Sequence, residues 1–334
     1  MRGLASSRDY SLAFAKSRFY IGSELALSPR RSGRTGEAVT AAYYLGIDGG
    51  GTNCRARVRD ADGRLIGEAT GGPSNIATDP VEAIANIARV SESALLKGGL
   101  PASRLAQCSA CFGLAGANMA GASERVLSHN WPFKTLRLEH DGIIACVGAH
   151  AGEDGAIASI GTGAVYVVSV GGKLQTFGGW GFMLSDQGSG ADLGREALRR
   201  SLYARDGLID SSPFTDAVWA RFDGSVEKLQ HFVEGAKPRD YGALAPLLFE
   251  HAEQDDPIAR FIIERGQTGV TLALDHIVKL GVVRICLLGS IGRAYGPYLP
   301  ERFAPYLTAP RHDPLDGAIL LAGGRAAPAT EARP

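Results

Sequence analysis

Two glycine turns of one kind lie about 110 residues apart in this chain, Asp48-Gly-Gly-Gly-Thr52 and Ser159-Ile-Gly-Thr-Gly163. Each follows a short apolar strand (44–47 and 156–159) and leads into a second one (54–58 and 164–168). A hairpin turn so rich in glycine can aim several backbone N–H groups into one space, with no side chain obstructing a tetrahedral anion. One such turn constrains little. Two in matching strand–turn–strand settings predict a duplicated α/β unit whose halves grip one polyphosphate from both sides.

The rest of the chain falls into the same two registers. Residues 43–70 read as three strands, the third at 64–69 after an Asp62-Gly63 turn. Asp79-Pro80 opens a helix to about residue 97, with the acid as cap and proline at the first position. A strand at 104–113, a helix near 119–129, a strand at 134–139 and a helix over 142–149 follow. This β-β-β-α-β-α-β-α order is that of a ribonuclease-H-like half-domain. It restarts with strands at 156–160, 164–170 and 173–177, then runs into helices at 190–202, within 213–252 and at 256–280. A strand at 283–288 and a helix near 314–323 close the pattern. The expected organisation is an N-terminal half-domain over 43–150, completed by the C-terminal helix at about 314–324, and a second half-domain over 151–313 with a helical insertion. A nucleotide cleft lies between them.

Composition sets the outer limits. At 334 residues the chain can build two real cores. Its 44 glycines are about 13% of the chain, against a usual ~7%. Net charge is zero, but the first forty residues hold seven basic against three acidic side chains. The remainder is therefore mildly acidic, which argues against a nucleic-acid surface. No run reaches the ~20 apolar residues of a membrane span. Residues 1–42 read as a disordered or mis-started leader rather than an organelle transit peptide, and are set outside the fold. Five cysteines make no secreted disulfide framework, so the expected location is cytoplasmic. Cys108 and Cys111 share a strand, where side chains three apart point to opposite faces, so they read as buried small residues and not as a metal or redox pair.

A third glycine element, Leu288-Gly-Ser-Ile-Gly292, follows the late strand. With it the set resembles the actin-like ATPase and sugar-kinase superfamily. Gly178-Gly-Trp-Gly181 followed by Ser185-Asp-Gln-Gly-Ser189 narrows the match. Over about 43–324 the chain looks like the N-acetylglucosamine kinase and glucosamine kinase branch of the BadF/BadG/BcrA/BcrD-type ATPases.

The resemblance implies ATP and Mg²⁺ as cofactors and a small sugar as partner, and it allows a homodimer. Backbone N–H groups of Gly49, Gly50 and Gly51 and the Thr52 hydroxyl would hold the β- and γ-phosphates. Asp48 would contact the metal through water. Gly161, Thr162 and Gly163 would close from the other half, and Gly289, Ser290 and Gly292 would pack beside the adenosine. Asp141, in Glu139-His-Asp-Gly142, stands where the family has its general base for the sugar 6-hydroxyl. On spacing alone it serves equally well as the cap of the following helix; the resemblance favours the base. Asn75, Thr162, Gly179, Trp180 and Asp186 would meet the sugar, with Asp186 lying away from the phosphate turns. Asp186 could otherwise cap the next helix.

Two departures bear on which sugar is taken: Gln187 stands where relatives carry an acid, and Ala164-Val165 where many carry Ser-Asn. Two rival functions share the superfamily. An activator ATPase would need cysteines on loops for an iron–sulfur cluster, and a non-catalytic sugar sensor of the repressor type would need an N-terminal helix-turn-helix. The sequence offers neither.

Overall fold

Alternation along Cys54–Asp60 sets the two faces of the first sheet. Cys54, Ala56 and Val58 are fully buried on one side, and Arg55, Arg57 and Arg59 project from the other. The computed structural model describes residues 41–326. The reading of residues 1–40 as a leader lies outside the described residues, and Ala41, set outside the fold by the sequence reading, is buried.

The first half contains β1 (Tyr43–Gly49), β2 (Cys54–Asp60), β3 (Leu65–Gly71), α1 (Pro80–Lys97), β4 (Cys108–Leu114), α2 (Ala122–Leu127), β5 (Thr135–His140) and α3 (Asp141–Ala149). Its sheet runs β3-β2-β1-β4-β5, with β1 antiparallel to β2 and parallel to β4. The second half repeats this wiring with β6 (Gly155–Ile160), β7 (Ala164–Val170) and β8 (Lys173–Gly178). The helices α4 (Gly190–Arg205), α5 (Pro213–Ala220), α6 (Val226–Gly235), α7 (Pro238–Gly242), α8 (Ala245–Glu253) and α9 (Pro257–Lys279) come next. Then follow β9 (Ile285–Leu288), α10 (Gly289–Tyr295) and α11 (Pro314–Leu321). The second sheet is β8-β7-β6-β9, with β6 parallel to β9. Leu307 forms an isolated parallel bridge to Ile285, at the place the fifth strand holds in the first sheet.

Capping fixes the helices that frame the site. Asp79 accepts from the N–H groups of Val81 and Glu82 at the start of α1, and Asp256 does the same for Ile258 and Ala259 at the start of α9. Two expected boundaries move. Pro101 starts a 3₁₀ turn over Ala102–Gln107, its carbonyl taking the Arg104 N–H at 3.0 Å, so β4 begins only at Cys108. Gly121, at φ +74°, delays α2 to Ala122.

Helix α3 belongs to both halves. Ile144 and Val147 pack with Cys111 and Ala318 on the first sheet, while Cys146 and Ala149 pack with Ile157 and Val167 on the second. Its close crossing with α11 depends on glycine: a Cβ on Gly317 would come within 1.9 Å of the Ile144 carbonyl oxygen. Cys108 faces the α1 core and Cys111 the α3–α11 core, as the strand alternation requires. All five cysteines are buried and free, and burial pushes the thiol pKa of Cys54 up to about 11 and those of Cys108 and Cys146 up to about 12. Among the described residues no helix is long and apolar enough to cross a membrane.

Candidate active site

The first glycine turn joins β1 to β2 and is tied down on one side only. Gly50 N–H donates to Asn53 O at 2.9 Å, Ser74 N–H to Gly50 O at 2.8 Å and Ala115 N–H to Gly49 O at 2.8 Å. Its other side is open, since a Cβ on Gly51 would meet nothing within 4 Å, and Gly51 and Thr52 are exposed. Asp48 lies at the base of the turn, with its Oδ2 taken by Arg55 Nη2 from the facing position on β2. Burial raises the Asp48 carboxyl above its ordinary value; Arg55 pulls it back, and the charges of Asp141 and Asp313 push it up again. Asp141 and Asp313 thus lie within electrostatic reach of Asp48. Asn75 sits in the adjoining loop, its side-chain oxygen engaged by the N–H groups of Ala77 (3.0 Å) and Thr78 (3.2 Å), which leaves the amide NH₂ for a ligand.

Asp141 is the first residue of α3 and is not its cap. The cap is His140, whose Nδ1 lies 3.1 Å from the Gly142 N–H. Asp141 Oδ1 is 2.8 Å from the same N–H, and its side chain is 35% exposed. A carboxylate so placed is held by one oxygen and free at the other.

The second glycine turn is braced from below. Gly190 N–H donates to Gly161 O at 2.7 Å and Ala191 N–H to Thr162 O at 3.2 Å, so the start of α4 supports the turn. Above Gly161 the space is open within 4 Å. The element at 289–292 is not a loop: it is the first turn of α10, and Gly289 enters it at φ +79°, where a Cβ would lie 2.1 Å from Ile160 O. Only glycine permits that approach, which presses α10 onto the second turn; Gly292 is buried beside it and Ser290 is exposed.

Asp186 corrects the sequence reading. It does not cap α4, a role held by Ser189, which receives the Asp192 N–H. Nor does it lie away from the phosphate turns: its Oδ1 accepts from Ala164 N–H at 3.2 Å, and its Oδ2 is 2.9 Å from where a Cβ on Gly163 would stand. It is buried at φ +68°. Burial raises its carboxyl, the Ala164 N–H lowers it and the charge of Asp192 raises it. Asp186 also lines a cavity of about 240 Å³ with Tyr166, Phe177, Ser185, Leu272 and His276. Gly179 donates to Ala164 O at 2.8 Å, which carries Trp180 outward to 73% exposure. Gln187 is exposed and packs by its Cβ against Gly269 of α9.

The structure thus assembles two groups: Asp48–Thr52, Asn75 and Asp141 in the first half, and Gly161–Gly163, Gly289 and Asp186 in the second. They meet along β7. A Cβ on Gly142 would lie 3.0 Å from Val167 Cγ2, and Val167 stands four residues, roughly 13 Å at ~3.3 Å per residue, from Gly163. Among the described residues no three His, Cys, Asp or Glu side chains are gathered to hold a metal ion; Asp48 offers one carboxylate oxygen outside the Arg55 contact, which suits a Mg²⁺ ion that keeps several waters and takes one or two carboxylates. Sequence reasoning passed over Arg55, His140, Arg57 and Asp313. The Arg-x-Arg-x-Arg alternation of β2 was a visible signal for the arginines; nothing local marked their partners.

Two open glycine turns on duplicated sheets, with a carboxylate beside each, define a nucleotide-cleft protein of the actin-like ATPase and sugar-kinase class. The match goes further, and the chain belongs to the BadF/BadG/BcrA/BcrD ATPase family, whose model covers residues 45–322. It is 35% identical over 281 residues to a glucosamine kinase of Vibrio cholerae, covering 84% of this chain and 96% of that protein. It is 25% identical over 260 residues to an N-acetyl-D-glucosamine kinase of Dictyostelium discoideum, covering 71% and 79%. Among solved structures, a candidate N-acetylglucosamine kinase from Chromobacterium violaceum superposes with a TM-score of 0.77 at 31% identity, covering 84% of this chain and 99% of that one. A hexokinase from Thermus thermophilus shares the fold, with a TM-score of 0.52 at 17% identity, covering 84% and 98%.

Proposed function

We propose that the chain is an ATP-dependent amino-sugar kinase that phosphorylates the 6-hydroxyl of glucosamine or N-acetylglucosamine, with Asp141 as general base. One observation carries the reading: in the first sheet Gly49 of the glycine turn is in register with Leu114, and Leu114 with His140, so Asp141 leaves the end of β5 level with the first turn. A proton acceptor beside a phosphate cradle is the minimum that phosphoryl transfer to an alcohol requires.

The Gly51 N–H and the Thr52 hydroxyl, on the open side of the turn, hold the β- and γ-phosphates, while Gly49 and Gly50, the latter with its N–H spent on Asn53 O, shape the turn beneath them; Gly161, Thr162 and Gly163 meet the phosphates from the other half. Gly289, Ser290 and Gly292 flank the adenosine. Asn75, through its free NH₂, and Thr162, Gly179, Trp180 and Asp186 surround the sugar. Asp48 would hold Mg²⁺ through water; when bound, the ion neutralises charge on the transferring phosphate. Asp141 takes the proton of the 6-hydroxyl as its oxygen bonds to the γ-phosphorus and the bond to the β–γ bridging oxygen breaks, releasing ADP. Positioning supplies most of the acceleration, so an ordinary carboxylate suffices. The same reading makes the protein cytoplasmic and leaves room for a homodimer.

The test is ADP release with ATP, Mg²⁺ and a panel of hexoses and hexosamines. Turnover is expected with glucosamine or N-acetylglucosamine, above plain glucose in kcat/KM. Activity on none of them removes the kinase reading.

A further inference from the structure

At the start of α3 two acceptors crowd one backbone N–H. Gly142 N lies 2.8 Å from Asp141 Oδ1 and 3.1 Å from His140 Nδ1, and these two acceptor atoms are themselves 3.0 Å apart. A single N–H shared between both bonds each only weakly, and two lone pairs at that separation repel. The conflict is removed when Nδ1 carries the imidazole proton. His140 then donates to Oδ1, Gly142 N–H donates to the same oxygen, and Asp141 is held at Oδ1 by two donors. The packing keeps this arrangement in place. His140 is only 18% exposed, and a Cβ on Gly142 would press within 3.1 Å of its Nδ1 and 3.0 Å of Val167 Cγ2.

We infer that His140 is a positioning residue for the reaction: through Nδ1–H it fixes Asp141 by Oδ1 and so leaves Oδ2 as the oxygen that accepts the sugar proton. The inference rests on Asp141 being the general base. Oδ1, shared between two N–H donors, is the poorer acceptor, and the rotamer that satisfies it sets where Oδ2 stands. His140 touches neither substrate in this scheme; it acts through Asp141.

The experiment compares His140→Ala, His140→Asn, Asp141→Asn and the double variant H140A/D141N, reading kcat, KM for sugar, KM for ATP and thermal stability. A misplacement of ~1 Å in a reacting group can cost ~10²-fold, so His140→Ala should lower kcat by about 10- to 100-fold with both KM values within about threefold. His140→Asn, whose amide can donate to Oδ1, should recover to within about fivefold of wild type. In the Asp141→Asn background the His140→Ala change should cost nothing further, since two residues acting as a unit are not additive. If His140→Ala keeps kcat within twofold, or its loss multiplies that of Asp141→Asn, His140 only caps the helix and the inference is overturned. If instead Asp141→Asn keeps more than a third of kcat, the base reading fails and takes the inference with it. Should His140→Ala not fold, His140→Asp answers in its place. It retains an acceptor for Gly142 N–H and offers no donor to Oδ1, so wild-type turnover in that variant would also overturn the inference.

Discussion

Arg57 grips Asp313 with both ends of its guanidinium, Nη1 to Oδ1 at 2.6 Å and Nη2 to Oδ2 at 2.8 Å, across 256 residues of sequence. The pair joins a central strand of the first sheet to the point where the chain returns from the second half. Just before it, Arg311 N–H donates to Ala149 O at 2.9 Å and His312 N–H to Gly148 O at 3.2 Å. Arg57 also reaches Glu68 and Asp316, and Arg59 holds Asp316 by Nε at 2.7 Å. The arginine face of β2 therefore ties down the start of α11, whose body packs on β1 and α3.

Removing Arg57 leaves Asp316 with one cation and Asp313 with none of these contacts. Breaking a buried pair costs ~3–5 kcal/mol, and Asp313 is 36% exposed, so Arg57→Ala should cost roughly 3 kcal/mol in chemical denaturation. A loss below about 0.5 kcal/mol would show the docking to be carried by the apolar α3–α11 contact instead.

The same pair predicts an acid limit. Burial alone would raise the Asp313 carboxyl, but the hydrogen bonds and charge of Arg57 outweigh it and hold the group below its ordinary value of 3.8. A carboxyl depressed in the fold adds stability that is present above pH ~3.8 and lost as pH falls through the lower folded value. Asp313→Asn keeps a capping side chain for α11 while removing the charge. Its melting temperature should lie below wild type at pH 7, with the gap closing as pH falls below about 4. A gap that stays constant down to pH 2 would place the stabilisation elsewhere.

How far the sequence could be read follows from the range of each interaction. The glycine turns, the strand alternation and the Asp79-Pro80 cap are local, and all stand where the pattern put them. The opposite facing of Cys108 and Cys111 follows from strand period alone. The boundary near 104 was misread because Leu105 continues an apolar run, while Pro101 imposes a turn that hydrophobic pattern does not register. The Arg57–Asp313 pair and the position of Asp186 against Gly163 depend on tertiary approach. No spacing rule reaches either.

The two halves should close on sugar, excluding water from the phosphate, and pivot where α3 crosses α11, since α3 packs on both sheets. Small-angle scattering should show a smaller radius of gyration with sugar and a non-hydrolysable ATP analogue together than with either alone. An unchanged radius under saturating ligand would argue for a preformed cleft. Gly317→Ala, whose Cβ would come 1.9 Å from Ile144 O, should wedge the crossing apart at a cost of about 1–3 kcal/mol and enlarge the radius in both states.

Turnover by the wild type and loss of it in Asp141→Asn test the base directly. The amide matches the carboxylate in size but takes no proton, and general-base help is worth ~10²–10⁴-fold. ATP binding, followed by calorimetry, should survive the change, since the proposed phosphate contacts at Gly51 and Thr52 do not involve the Asp141 side chain. Equal loss of binding and turnover would mean that the substitution has disturbed the turn.

Asp186 offers the sharpest separation of stability from function. Its carboxyl is raised by burial, only partly relieved by the Ala164 N–H, so the folded protein binds a proton there more readily than the unfolded chain does. Stability from that group is present below the ordinary carboxylate range and lost as pH rises through the folded value, which makes the ionised Asp186 a destabilising element at neutral pH. Asp186→Asn removes the charge, keeps an oxygen for Ala164 N–H, and tolerates the positive φ of this position. The variant should therefore melt at the same temperature as wild type or higher at pH 7, with the difference vanishing toward pH 4. Its turnover should fall all the same. The carboxylate braces Gly163 and borders the proposed sugar subsite, so KM should rise for both sugar and ATP, unlike a residue serving the sugar alone. A rise confined to sugar would return Asp186 to a pure substrate contact; a lower melting temperature at pH 7 would show that its charge is paid for by interactions stronger than the Ala164 N–H.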